Sequence, residues 1–88
     1  MAWAIEYAES AKKQLRKLDR VAARRIADFM DKRVAPSNDA RAMGKALKGP
    51  LGDLWRYRVG DFRVICDIQD KVLTVLVLRV GNRREVYR

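Results

Sequence analysis

Gly60-Asp61 stands between two runs in which apolar and polar residues alternate, Trp55-Arg56-Tyr57-Arg58-Val59 on one side and Phe62-Arg63-Val64 on the other. Alternation with period two marks a strand with one buried face, and a Gly-led pair between two such runs marks a hairpin turn. A two-residue loop also fixes the register, because the numbers of paired residues must then share one sum. Val59 faces Phe62, Arg58 faces Arg63, Tyr57 faces Val64 and Arg56 faces Ile65. Trp55, Tyr57, Val59, Phe62, Val64 and Cys66 fall on one face of the ribbon, and Arg56, Arg58 and Arg63 on the other. Like charges directly opposite each other weaken a ladder, so folding alone gives little reason to keep Arg58 against Arg63. Any one of these arginines reads as an ordinary solvated charge. Three around one turn read as an anion site, and a polyanion is the natural guest.

The remainder of the chain supplies a frame for this hairpin. Trp3, Ile5 and Tyr7 alternate as a short first strand. A helix begins near Ser10, with Ala8, Ala11, Leu15 and Leu18 inward and Lys12, Lys13, Arg16 and Lys17 outward. Asp19 is placed to cap a second helix whose inner stripe is Ala22, Ile26, Phe29, Met30 and Val34. Ala35-Pro36-Ser37-Asn38-Asp39 ends it. Residues 40 to 53 form a connection rich in Gly and Lys, with a turn of helix around Arg41 to Met43. After a turn at Gln69-Asp70-Lys71, Val72 to Val80 is apolar on both faces, as expected of a covered central strand. Ile65, Leu76 and Leu78 are expected on the arginine side as exposed apolar surface suited to docking a partner. Gly81 breaks the strand, and a basic tail follows from Asn82 to Arg88. The expected fold is a single α+β domain over 1–88, of order βααβββ, with a curled antiparallel sheet and the two-helix hairpin on one face.

Charge narrows the partners. Twenty Lys and Arg against eleven Asp and Glu give a formal +9 in 88 residues, which suits nucleic acid or an acidic protein. No apolar run approaches the ~20 residues of a spanning helix, and the first residues lack the basic flank and apolar stretch of a signal peptide. The single Cys66 excludes an internal disulfide, and its inward position suits a small buried hydrophobe in a reducing cytoplasm.

Residue types narrow the chemistry further. With no histidine, one cysteine and scattered acids, no spacing suggests a metal or a cofactor, and a Ser or Cys nucleophile would lack its imidazole. Lys48-Gly49-Pro50-Leu51-Gly52 fits no phosphate-loop pattern. RNA cleavage needs no protein nucleophile, because the adjacent 2′-hydroxyl attacks the phosphate. It needs positioning, stabilisation of charge on phosphorus and a route for protons. Guanidiniums supply the first two, gripping phosphate with paired donors and staying charged. Trp55 and Tyr57, interleaved with the arginines, could stack bases, but their face assigns them to packing.

Leu54-Trp-Arg-Tyr-Arg-Val-Gly-Asp-Phe-Arg-Val-Ile, followed by Leu78-Arg-Val-Gly-Asn-Arg-Arg-Glu-Val-Tyr, resembles the RelE-type toxins of bacterial type II toxin–antitoxin modules. The likeness spans essentially the whole chain, including Ala46-Leu47-Lys48-Gly49. It implies a RelE-like, microbial-RNase-like fold and a cytoplasmic, metal-independent endoribonuclease that enters the ribosomal A site, cuts mRNA by 2′-hydroxyl attack and so inhibits translation. It also implies a cognate RelB-like antitoxin as partner. By position in the motif, Arg56 and Arg58 fall where studied members carry lysines. Arg63 matches a phosphate-binding arginine, Arg83 one assigned to the leaving group, and Tyr87 a tyrosine of the active centre. Lys45 and Lys48, on the connection near the sheet, are the expected contacts to RNA, and Arg84 is expected to meet the antitoxin or ribosomal RNA and not the scissile phosphate.

Arginine cannot give up a proton as a crowded lysine can, so the role of base moves to Tyr87. A free tyrosine titrates near ~10, and surrounding guanidiniums favour its phenolate. The alternative is that Tyr87 stacks on a base, or anchors the C-terminus, while the ribosome carries the proton. Asn82 stands where many members have histidine, and the C-terminal helix of longer members is not expected. Two rivals stand beside the nuclease. One is a ParE-like toxin that poisons DNA gyrase by binding; its members generally lack the terminal arginine and tyrosine. The other is an inactive RNA-binding module. Lys12, Lys13, Arg16 and Lys17 read as the wet side of a helix, with ribosomal RNA backbone as their second reading.

Overall fold

Gly60 adopts a φ of +59° while Asp61 keeps an ordinary one. A left-handed first loop residue lets a two-residue turn follow the natural twist of its strands. In the computed structural model, which describes residues 2–47 and 53–82, this turn joins β3 (Trp55–Val59) to β4 (Phe62–Gln69). The register is the one the loop length demands: Val59 with Phe62, Arg58 with Arg63, Tyr57 with Val64, Arg56 with Ile65 and Trp55 with Cys66. Tyr57, Val59, Val64 and Cys66 enter the core, with Trp55 and Phe62 packed at its edge.

The core lies between this face and two helices. β1 (Ala4–Tyr7) leads into α1 (Glu9–Lys17), and α2 (Arg20–Phe29) continues through a π-helical turn at Met30–Val34. Asp19 caps α2 as its sequence position predicts, accepting from the Ala22 amide at 2.8 Å. The inward stripe of α2, Ala22, Ile26, Met30 and Val34, is buried. Phe29 meets the Tyr57 ring edge-on at 5.9 Å. Lys12, Lys13, Arg16 and Lys17 are exposed.

Three features of the sheet depart from the expected βααβββ arrangement. The sheet is mixed: β1 pairs in parallel with β5 (Thr74–Asn82), while β2 (Lys45–Ala46) to β5 are antiparallel, in the order β1-β5-β4-β3-β2. A parallel pair requires a long crossover, which the helical hairpin and the following strands provide. The connection after α2 contains no helical turn at Arg41 to Met43 but adds a two-residue edge strand, β2 (Lys45–Ala46), beside β3. β5 also starts later than expected, because Asp70–Val72 forms a 3₁₀ turn closed by Leu73 at a φ of +46°. Arg41 clamps this turn through two hydrogen bonds to the Asp70 carboxylate, 2.8 and 2.9 Å. The pair holds that carboxyl below the usual range and raises the guanidinium.

β1 covers β5 only as far as Val77. Beyond it α1 takes over the edge: Ser10 donates to the Leu78 carbonyl at 2.7 Å, and Gln14 accepts from the Val80 amide at 2.6 Å. Two side chains one helical turn apart thus satisfy backbone groups that would otherwise have lost a strand. Among the described residues no helix is long and apolar enough to cross a membrane.

Buried weak acids give the fold an alkaline limit. Desolvation is the main force raising Tyr57 and Cys66 well above their ordinary values, and it pushes Tyr7 up to about 12, helped by nearby Asp31. The folded state therefore holds these protons more tightly than the unfolded chain does. Their stabilisation is complete below the unfolded thiol and phenol values, ~8.5 and ~10, and is lost as pH rises toward the folded ones. Denaturant midpoints are expected to fall between pH 8 and 11, and Tyr7→Phe should flatten part of that slope. A midpoint that stays level across this range would contradict it.

Candidate anion-binding face

Arg56, Arg58 and Arg63 share the sheet face opposite the helices, as the hairpin register requires. Their surroundings differ. Arg58 is exposed and Arg56 half-buried, whereas Arg63 is only 5% exposed. The Arg63 guanidinium makes one long hydrogen bond, Nη1 to its neighbour's carbonyl, Phe62 O, at 3.4 Å. Its Nε is buried without an acceptor. A buried donor left unmatched costs about 1–3 kcal/mol, and the facing Arg58 adds repulsion. Among the described residues the ion pairs are Lys12–Glu9, Lys32–Asp28 and Arg41–Asp70. None of them neutralises Arg58 or Arg63. The face is therefore built with a local excess of positive charge, part of it held out of water.

β2 extends the face. Gly44, at a φ of +86°, lets the chain pass against β3 where a side chain would meet the Arg56 carbonyl oxygen. Trp55 Nε1 donates to the Met43 carbonyl at 2.7 Å and fixes that approach, while the Tyr57 hydroxyl donates to the Ala40 carbonyl at 2.6 Å. Lys45 then pairs with Arg56 and joins its face, so one predicted RNA contact does stand beside the arginines.

β5 completes the face through an irregularity the sequence reading missed. Ile65 pairs with Arg79, but Cys66 pairs with Val77, leaving Leu78 as an extra residue. This bulge reverses the alternation along β5. Val75 and Val77 point to the core below it, and Val80 does so above it. Arg79 consequently turns to the arginine side, opposite Ile65, and Gly81 lies opposite Arg63. Strict alternation would have put Arg79 among the core valines. The expected open apolar patch is also corrected: Ile65 is 3% exposed, and Leu76 and Leu78 are half-buried. Ile65 lies between Arg56 and Arg79 in the ladder, where the aliphatic stems of long cations cover apolar neighbours.

Two cross-strand rows result, Lys45–Arg56–Ile65–Arg79 and Arg58–Arg63–Gly81. Lys48, Arg83, Arg84 and Tyr87 lie outside the described residues. Among the described residues no cluster of His, Cys, Asp or Glu could hold a metal ion.

Residues 5–87 match the family model described as the ParE toxin of the type II toxin–antitoxin system parDE. The chain belongs to this toxin family. The ParE-family match agrees with a curated relative, Toxin RelG of Mycobacterium tuberculosis, 27% identical over 88 residues that make up 100% of this chain and 99% of that one. The toxin–antitoxin complex RelBE2 of M. tuberculosis contains a chain with the same fold, at a TM-score of 0.87 and 24% identity, covering 97% of this chain and 95% of that one. The archaeal RelE–RelB complex of Pyrococcus horikoshii gives a TM-score of 0.69 at 26% identity, covering 97% and 99%. The RelE/ParE-type toxin expected from the two motifs together, the hairpin and the Val80–Tyr87 stretch, is thus the correct assignment, with its α+β fold.

Proposed function

We propose that this ParE-family toxin is a metal-independent endoribonuclease that cuts mRNA in the ribosomal A site. The reading rests most on one observation: Arg58 and the buried Arg63 oppose each other with no carboxylate between them among the described residues. Such a pair is unfavourable until an anion enters, and a phosphodiester of the message fits both guanidiniums. The strand's own 2′-hydroxyl attacks phosphorus, and Arg56, Arg58 and Arg63 stabilise the added negative charge. Because Arg63 is shielded from water, its charge acts there at low dielectric. Arg83 carries the leaving oxygen, and Tyr87 acts as base or orienting group. Lys45, Lys48 and Arg84 hold flanking RNA. A RelB-like antitoxin is the restraining partner, as in the M. tuberculosis and P. horikoshii complexes.

Mapping transcript ends after induction tests the activity. The expected result is new ends within translated codons, seen only when ribosomes are engaged. Growth arrest with intact mRNA would overturn it. The match to a ParE family model favours the ParE-like rival as a second reading, in which a non-enzymatic toxin binds DNA gyrase. It predicts inhibition of supercoiling by purified gyrase with transcripts left whole.

A further inference from the structure

We infer that the arginine face holds two successive phosphates of one RNA strand, with Arg79 supplying the second seat. This deepens the nuclease reading and rests on it. The bulge at Leu78 has one evident consequence on this face, which is to turn Arg79 outward opposite Ile65. Arg79 is exposed there, and among the described residues it has no carboxylate partner. It lies two strands from Arg56, roughly 9–10 Å across the sheet. Flexible arginine arms span that gap over the buried Ile65, an apolar floor that keeps water from beneath a bound anion. Lys45 closes the outer end of the row beyond Arg56.

The Arg58–Arg63 row runs beside this one. Same-face neighbours along a strand are two residues apart, or roughly 6.5–7 Å, close to the distance between adjoining phosphates in a nucleic-acid chain. One phosphate held by Arg58 and Arg63, which Arg56 reaches from the adjoining row, therefore leaves its neighbour over Arg79, with Arg56 between the two. The strand would track the direction of β4, with sugars and bases turned away from the sheet. Sequence-independent grip on two phosphates fixes the attacked one in position without reading a base.

The test uses a 2′-O-methyl hexanucleotide, which the toxin cannot cut, titrated against the purified protein at several salt concentrations. Arg79→Gln should weaken binding on the order of tenfold at low salt and lower the slope of log K against log salt by about 0.7, one single-strand phosphate contact. Arg79→Lys should keep the slope, which separates lost charge from damaged folding. A neutral methylphosphonate placed at single positions should identify one linkage beside the central one whose neutralisation weakens the wild type but not Arg79→Gln. An unchanged slope for Arg79→Gln alongside a reduced slope for Arg63→Gln would overturn the second seat while leaving the nuclease reading intact. Additive losses at every methylphosphonate position would overturn it equally. Unchanged slopes for both variants would remove RNA from the face altogether, and the nuclease reading with it.

Discussion

Arg63→Met is expected to make the protein more stable and less toxic in a single step. Methionine keeps an unbranched stem of similar reach but removes a buried guanidinium whose Nε has no acceptor. It also removes the charge facing Arg58. The unmatched donor costs about 1–3 kcal/mol and the like-charge pair about 0.2–1 kcal/mol. Allowing for the lost long bond to Phe62, the net gain should be about 1 kcal/mol, raising Tm by about 4–8 °C in a domain of this size. Removing one preorganised donor from a charged transition state typically costs on the order of 10²–10³ in rate, and transcript cleavage should fall by that amount. Opposite signs for stability and activity are the mark of a strained functional group. Thermal melts and transcript-end mapping on the same variant measure both. An Arg63→Met protein that melts lower than wild type, or that arrests growth as well, contradicts this account. Arg63→Lys should fall between the two, since it retains charge but loses the paired donors.

Gly44→Ala is expected to be the most damaging small substitution in the described chain, although Gly44 touches no ligand. Its added Cβ would run into the Arg56 carbonyl oxygen and come within 2.8 Å of Trp55 Nε1, at a φ of +86°. The left-handed backbone alone costs about 1–2 kcal/mol for a residue with a side chain. Losing the Trp55–Met43 hydrogen bond adds to that, for a total of about 3 kcal/mol and a fall in Tm beyond about 10 °C. Gly44→Asn should do no better, because tolerance of positive φ does not remove the collision. The same change detaches β2 from β3 and takes Lys45 from beside Arg56, so RNA binding should drop with every cation still present. Tryptophan fluorescence reports the loosening at Trp55. A Gly44→Ala protein with wild-type Tm would show that the approach of β2 to β3 is not tight.

What could be read from the sequence was local. The two-residue loop dictated the pairing of Arg58 with Arg63, and Asp19 announced its own cap. The inward parity of Cys66 assigned it to the core, where it is fully buried. The parallel pairing of β1 with β5 left no such trace, because nothing in four residues encodes a partner so distant in the chain. β2 is too short for alternation to register, and Gly44 was its only signal. The bulge was hidden for a different reason. Val72 to Val80 is apolar at nearly every position, so it has no alternating pattern for an extra residue to interrupt. Arg79 was therefore overlooked as a member of the face, and the exposure of Ile65 was misjudged along with it.

The sheet order also has a meaning in time. Among the described strands β5 alone touches both β1 and β4, and α1 seals its edge through bonds between residues 68 and 66 apart. The arginine hairpin closes from neighbouring residues, but the first strand and helix have no lodging in the sheet until β5 has been synthesised. During translation the chain thus carries its cations before it has the scaffold that aligns them. Among the described elements, the complete two-row face comes into being only with β5, the strand that bears Arg79.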